Sequence, residues 1–254
     1  KWQVCPFEMC LDTSTWVDAV ICDYNYVFDP NVYLKRFFGD GVKGDYLFLI
    51  DEAHNLVDRG RNMYSAVLCK EDFLEVKKAV KEHSRKLERI LEKCNKVLLE
   101  YKRECQDEYR VMENIGALAL QLMNLLGEME NFLEREQEEK VRSTVLEFSF
   151  AVRHFLNMYD LVDENYVIYT HHGAEGRFYL TLFCVNPKVN LQECLNKGRG
   201  SVFFSATLLP MGYYRSLFST REDDYAICAA SPFPRENLKL LIARDVSSKY
   251  TRRG

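Results

Sequence analysis

Short apolar runs that end in acidic residues mark the N-terminal part of the chain. Residues 16–22 (WVDAVIC) form one such run. Residues 45–50 (DYLFLI) form a second, β-rich run that is followed by Asp51 and Glu52. This pattern is typical of a buried parallel strand whose carboxyl end opens onto a site. Residues 1–66 are therefore predicted to be α/β.

A long block with helical periodicity follows. Residues 70–160 are rich in Glu, Lys, Arg and Leu, with no Pro and almost no Gly. Apolar residues recur there every three or four positions, in three series at 87–112 (including Tyr109), 115–132 and 145–155. This spacing predicts an antiparallel helical bundle with solvated charged faces. Bends are expected at Gly116, at Gly127 and within residues 134–139.

Strand patterns return after the helical block. Residues 166–170 and 178–185 are β-rich runs around the polar segment 171–176, which predicts a β-hairpin. Further strand candidates are residues 201–205, 225–229 and 238–242. The helical block is therefore expected to be inserted into an α/β domain rather than appended to one.

Composition and charge narrow the class of protein. The 34 basic and 38 acidic residues nearly balance, so any contact with nucleic acid needs a local basic surface. Nine cysteines without a C-x-x-C pair are typical of a reducing, cytoplasmic compartment. No stretch approaches the roughly 20 apolar residues of a membrane span, so no membrane partner is expected. Both chain ends fall within fold-like segments, and we expect an internal piece of a longer protein.

The strongest chemical signal is the segment Asp51-Glu52-Ala53-His54 at the end of a predicted strand. A nucleotide triphosphatase needs one aspartate there to hold Mg²⁺ through its water shell, and a second acid to orient the attacking water. Asp51 and Glu52 are the candidates for these two roles. The alternative is that both acids only cap the helix predicted to start at Ala53.

A second predicted strand end carries small hydroxyl residues. The apolar run 202–204 is followed by Ser205, Ala206 and Thr207. Alone, this triplet would most often be a helix cap. Together with the acidic motif, the triplet indicates a functional site.

These two motifs together resemble a known family. Asp-Glu-Ala-His at one strand and Ser-Ala-Thr at a later one are the second and third motifs of superfamily 2 helicases, and the chain resembles the XPD/DinG family of iron–sulfur DNA helicases. Four other stretches fit this family, namely residues 4–8, residues 21–30, Asn55 and residues 231–234. The resemblance covers essentially the whole chain, and the helical block lies where the family inserts its arch domain.

The resemblance implies an α/β fold, with part of a RecA-like P-loop motor domain, an inserted all-helical arch domain and the start of a second RecA-like domain. The implied boundaries are 1–66 and 164–218 for the first motor domain, 67–163 for the arch and 219–254 for the second motor domain. The parent protein would be an ATP-dependent, Mg²⁺-using helicase that moves on single-stranded DNA, with a role in DNA repair.

The resemblance also implies roles for individual residues. Asp51 would help to bind Mg²⁺, and Glu52 would activate the water that attacks ATP. His54 would link the nucleotide site to Ser205 and Thr207, which couple hydrolysis to movement. The alternative for His54 is a histidine that only satisfies a buried polar neighbour.

Two departures from the family pattern limit the activity that we expect. Cys5 matches the last cysteine ligand of the family's 4Fe–4S cluster, but such a cluster needs four thiolates and no other cysteine here fits the pattern. No G-x-x-x-x-G-K-S/T phosphate loop occurs in the sequence. We therefore expect no intact cluster and no ATPase activity in this chain by itself.

Candidate DNA contacts lie in a span with aromatic and basic residues, at Tyr24, Tyr26 and Arg36. Single-strand tracks combine stacking rings with basic groups, although aromatic residues at such spacing more often belong to a core. The rival hypothesis is a non-catalytic module that binds single-stranded DNA or a protein. The acidic motif argues against that module, and the missing phosphate loop argues for it. A nuclease accessory ranks last because a second carboxylate cluster is missing.

Overall fold

The computed structural model describes residues 4–39, 41, 43–136 and 138–242. Two compact units make up the chain, Lys1–Arg221 and Glu222–Gly254. The helices of the first unit are α1 (Pro6–Ser14), α2 (Asn25–Phe28), α3 (Lys35–Phe38), α4 (Leu56–Met63), α5 (Lys70–Val80), α6 (Arg85–Glu104), α7 (Gly116–Leu133), α8 (Glu139–Tyr159), α9 (Lys188–Leu195) and α10 (Met211–Phe218). Its strands are β1 (Leu47–Ile50), β2 (Ala66–Cys69), β3 (Tyr109–Val111), β4 (Tyr166–His172), β5 (Phe178–Cys184) and β6 (Gly200–Phe203).

Strands β1 and β6 form a parallel pair in which Ile50 lies opposite Phe203. Both strands are confirmed, and so is the mixed α/β character of the fold. The sequence predicts a buried strand, but β1 buries a single face: Phe48 and Ile50 are buried, whereas Leu47 and Leu49 are exposed. Within the described ranges, this sheet has only these two strands. The exposure of Leu47 and Leu49 shows that no described element packs on the second face of β1.

Helices α5 to α8 form the predicted bundle, with α5 packed on α6, α6 on α7 and α7 on α8. The apolar series of the sequence supply its core, and Leu91, Leu122 and Val152 are fully buried. Ser84 caps α6, since its Oγ accepts a hydrogen bond from the backbone N–H of Leu87 at 3.2 Å. Among the helices that the structure describes, none is long and apolar enough to cross a membrane.

Two details of the predicted block are wrong. Tyr109 lies in strand β3 and not in a helix, because its backbone pairs with His171 of β4. A tertiary pairing of this kind overrides local periodicity. Gly127 lies inside α7, so no helix ends there, whereas Gly116 begins α7.

The second sheet is antiparallel, in the strand order β2-β5-β4-β3. The predicted hairpin is confirmed as β4 and β5, which are joined through a short 3-10 helix at Ala174–Gly176. Leu180 and Leu182 of β5 are fully buried, and α5 and α8 pack against the sheet. The hairpin therefore pairs with strands that flank and interrupt the helical block, and not with β1 or β6.

Three predicted strands are wrong. Residues 16–22 are irregular and exposed. The described part of the second unit contains a short 3-10 helix at Arg235–Asn237 and no strand, so residues 225–229 and 238–242 are also irregular. An apolar run becomes a strand only where a neighbouring strand completes its backbone hydrogen bonds, and these runs have no such neighbour among the described residues.

Glu71, near the start of α5, ties the bundle to the hairpin. Its carboxylate accepts hydrogen bonds from the backbone N–H of Phe178 at 2.8 Å and from Lys102 Nζ at 3.3 Å. Burial raises the pKa of Glu71, but the bonds from Phe178 and Lys102 outweigh that effect and hold the pKa below the ordinary glutamate value.

We expect Glu71→Gln to lower the free energy of unfolding at neutral pH by about 1 kcal/mol, and to matter less in acid. A lowered folded-state pKa contributes stability that is present above the unfolded-state pKa and is lost as pH falls through the folded-state pKa. Urea unfolding of both proteins at neutral and acid pH measures this difference. The exposed change Glu100→Gln is the control. A difference that stays constant with pH would contradict the expectation.

Candidate active site

The acidic motif forms a sharp turn directly after β1. Glu52 has a left-handed backbone conformation, with φ 47° and ψ 40°, which costs a non-glycine residue on the order of 1 kcal/mol. The carboxylate of Asp51 accepts a hydrogen bond from the backbone N–H of Glu52 at 2.7 Å. A 3-10 turn, Ala53–Asn55, then leads into α4. Neither acid caps these helices with its side chain, so the capping alternative is wrong.

The end of β6 runs beside this turn. The N–H of Phe204 donates to the carbonyl of Ile50 at 3.0 Å, and the N–H of Ala53 donates to the carbonyl of Phe204 at 3.2 Å. Backbone bonding therefore continues past both strand ends. It brings Ser205, the next residue, against the acidic turn.

Ser205 is the centre of a hydrogen-bonded cluster. Its Oγ lies 2.9 Å from His54 Nδ1 and donates to Glu52 Oε2 at 3.3 Å, while His54 Nδ1 lies 3.2 Å from the same Oε2. The N–H of Thr207 donates to Ser205 Oγ at 3.2 Å. A hydroxyl donates once and accepts twice. These contacts are all satisfied when His54 carries its proton on Nδ1.

The structure thus brings together Glu52, His54, Ser205 and Thr207, four of the residues singled out in the sequence. The side chain of Glu52 is 59% exposed and that of His54 is 31% exposed, so solvent reaches the cluster. His54 is therefore partly exposed and not buried. It contacts two residues of the candidate site.

Asp51 is exposed at the end of β1. Its oxygen donors fit the ligand preference of Mg²⁺, which keeps several waters and needs few protein ligands. Across the described residues, no group of three or more His, Cys, Asp or Glu side chains could hold a metal ion. The single exposed carboxylate of Asp51 is the group that would hold a hydrated magnesium ion.

Cys5 lies at the N-terminal end of α1 and is exposed. All nine cysteines are free, and those at 69, 94, 105 and 184 are buried. The residues that the structure describes do not gather the four thiolates of a 4Fe–4S cluster, so they do not fit that group.

The three candidate DNA residues have different surroundings. Arg36 pairs with Glu8 at 3.0 Å and closely with Asp12, both on α1, so its charge is engaged within the chain. Tyr26 is half-buried within α2. The hydroxyl of Tyr24 faces the acidic turn, a contact that no sequence signal indicated.

The comparisons with known proteins fit this picture. The DEAD_2 family model matches residues 1–74. The Fanconi anemia group J protein homolog of Gallus gallus is 34% identical over 65 residues, which cover 26% of this chain and 5% of that protein. The solved "Structure of S. tokodaii Xpd4" is 16% identical with a TM-score of 0.41, over 73% of this chain and 39% of that one. That structural likeness is too low to support an argument.

The DEAD_2 match includes the acidic motif, and the chain spans only a small part of the curated relative. The activity of a whole protein is therefore not transferred by these matches. Residues 1–74, which include the acidic motif, are thus similar to the DEAD_2 family, in agreement with the resemblance to XPD/DinG helicases that the motifs indicate.

Proposed function

We propose that this chain supplies the water-activating and coupling half of an ATP-dependent DNA helicase motor. The observation that carries the proposal is the hydroxyl of Ser205, which contacts both His54 and Glu52. His54 and Ser205 follow two different strands and are 151 positions apart in sequence. A turn that only started a helix would not need this contact.

Glu52 is the residue proposed to act on the attacking water. Its carboxylate is reached by solvent, while Ser205 and His54 hold Oε2 from one side. A carboxylate oriented in this way can accept a proton from a bound water. Asp51 would hold Mg²⁺ through its water shell, and Mg²⁺ bound with ATP neutralises charge on the phosphate oxygens. The phosphate loop would come from the rest of the parent protein.

Ser205 and Thr207 are proposed to couple hydrolysis to movement on single-stranded DNA. Thr207 Oγ1 lies 3.3 Å from Ser205 Oγ, so both hydroxyls belong to one network with Glu52. A change of charge at the nucleotide that reorients Glu52 would change the partners of Ser205. The segment after β6 would then move with that hydroxyl.

The domain arrangement is part of the same proposal. The expected boundaries are 1–66 and 164–218 for the first motor domain, 67–163 for the inserted arch and 219–254 for the second motor domain. The pairing of the hairpin with β2 and β3 supports a C-terminal arch boundary that is moved past β5. A cytoplasmic protein that acts on single-stranded DNA in repair is the role that the family resemblance implies.

The test compares the parent protein that contains this chain with its Ser205→Ala variant. We expect the number of base pairs opened per ATP to fall about 10-fold, because the link between Glu52 and the end of β6 is lost. Strand displacement and phosphate release, measured in the same reaction, report this ratio. Ser143→Ala is the matched control, since that exposed hydroxyl only bonds a carbonyl of its own helix.

An unchanged ratio in Ser205→Ala would overturn the coupling role. A parent protein that hydrolyses no ATP with or without single-stranded DNA would overturn the helicase function. In that case, DNA binding without hydrolysis would favour the non-catalytic module.

A further inference from the structure

Tyr24 contacts the acidic turn through its hydroxyl. It precedes the turn in sequence, whereas Ser205 follows it. Its hydroxyl donates to the carbonyl of Asp51 at close range, and the carbonyl of Glu52 lies 3.1 Å away. Both acceptors are backbone groups of the two acids themselves. Tyr24 therefore binds the peptide units that set the direction of the Asp51 and Glu52 side chains.

The backbone at this point needs such support. Glu52 is one of two non-glycine residues with positive φ in the described part of the chain. A residue in this region of conformational space persists only when surrounding contacts hold it there, and such residues cluster at functional sites. Relaxation of Glu52 to an ordinary conformation would rotate its carboxylate away from Ser205.

Tyr24 is itself held in place. The guanidinium of Arg59, on α4, lies over the Tyr24 ring at 5.6 Å from its centroid. Arg59 also lies 3.6 Å from a carboxylate oxygen of Asp23, the residue before Tyr24.

We propose that Tyr24, supported by Arg59, is a positioning residue that holds Glu52 in its left-handed conformation and so aims the carboxylate at the attacking water. Tyr24 touches neither the nucleotide nor the water in this role. In this role the hydroxyl of Tyr24 is engaged by the turn, and one face of its ring lies under Arg59. The inference rests on the proposed ATP hydrolysis at Glu52.

The first measurement is steady-state ATP hydrolysis by the parent protein carrying Tyr24→Phe, which removes the hydroxyl and keeps the ring. We expect kcat to fall about 10-fold while KM for ATP stays within about 2-fold, since one hydrogen bond to the turn is lost and no nucleotide contact changes. Arg59→Met should produce a smaller fall in kcat of the same kind. Tyr109→Phe, on the exposed edge strand β3, is the matched control.

The second measurement needs no enzyme activity. Hydrogen exchange of this chain follows the amides of Glu52 and Ala53, which bond to Asp51 and to Phe204. In Tyr24→Phe these amides should exchange several-fold faster, with the urea midpoint of unfolding unchanged. A tyrosine that only fills space would leave both the exchange and kcat unchanged.

The outcomes separate the two proposals. If Glu52→Gln abolishes hydrolysis but Tyr24→Phe leaves kcat and local exchange unchanged, the positioning role is wrong and the proposed function stands. If Glu52→Gln leaves hydrolysis intact, the proposed function fails. Faster exchange in Tyr24→Phe would then mean that Tyr24 stabilises the turn but has no role in hydrolysis. The positioning inference would be wrong together with the proposed function.

Discussion

Glu52→Gln in the parent protein is expected to slow ATP hydrolysis by about 10²–10⁴-fold, the range that a general base contributes. The amide keeps the size of the side chain and can still accept the hydrogen bond from Ser205, so the turn is retained. The amide cannot take a proton from water. Binding of Mg²⁺ and ATP should therefore persist while kcat is lost, which phosphate release and nucleotide binding measure together.

Glu82→Gln is the matched control for this change, because Glu82 is an exposed glutamate that lies after α5 and away from the cluster. Its kcat should equal that of the wild type. Retained hydrolysis in Glu52→Gln would remove the water-activating role from this residue. Loss of nucleotide binding in the same variant would instead assign Glu52 to binding.

Phe73→Ala is expected to lower the free energy of unfolding of this chain by about 3–5 kcal/mol, the usual cost of truncating a buried phenylalanine. Phe73 of α5 is fully buried, and its ring meets that of Phe148 on α8 edge-on, with the centroids 4.8 Å apart. The change removes both the buried apolar area and this ring contact. Urea unfolding followed by circular dichroism measures the loss.

Phe150→Ala is the control, since Phe150 lies two positions from Phe148 on the same helix and is 59% exposed. We expect its effect to stay within about 0.5 kcal/mol, as for most surface substitutions. Equal losses in the two variants would mean that α5 and α8 do not share a core. That result would contradict the bundle described above.

The sequence correctly predicted the helices and strands that depend on short-range patterns of apolar and polar residues. The spacing of apolar residues located α6 to α8, because one face of a helix repeats every three or four residues. The β4–β5 hairpin followed from two β-rich runs around a polar turn. Both kinds of signal lie within a few tens of residues, and the structure has them where the sequence indicated.

The wrong predictions concern which segments pair with another strand. Residues 16–22 have the apolar character of a strand but no neighbouring strand among the described residues. Tyr109 follows a helical period, yet its backbone bonds to β4. An apolar run specifies that a segment tends to be buried, and it does not specify what covers that segment.

The sequence by itself determined which reactive groups are neighbours along the chain. The main example is Asp51, Glu52 and His54, which directly follow an apolar run. Only the tertiary structure decided that Ser205 lies 2.9 Å from His54 and that Tyr24 binds the turn. Such contacts close loops of up to 151 residues, and the entropy that this closure costs is offset by the packing of the whole core and not by any local preference. No short segment of sequence can therefore encode them.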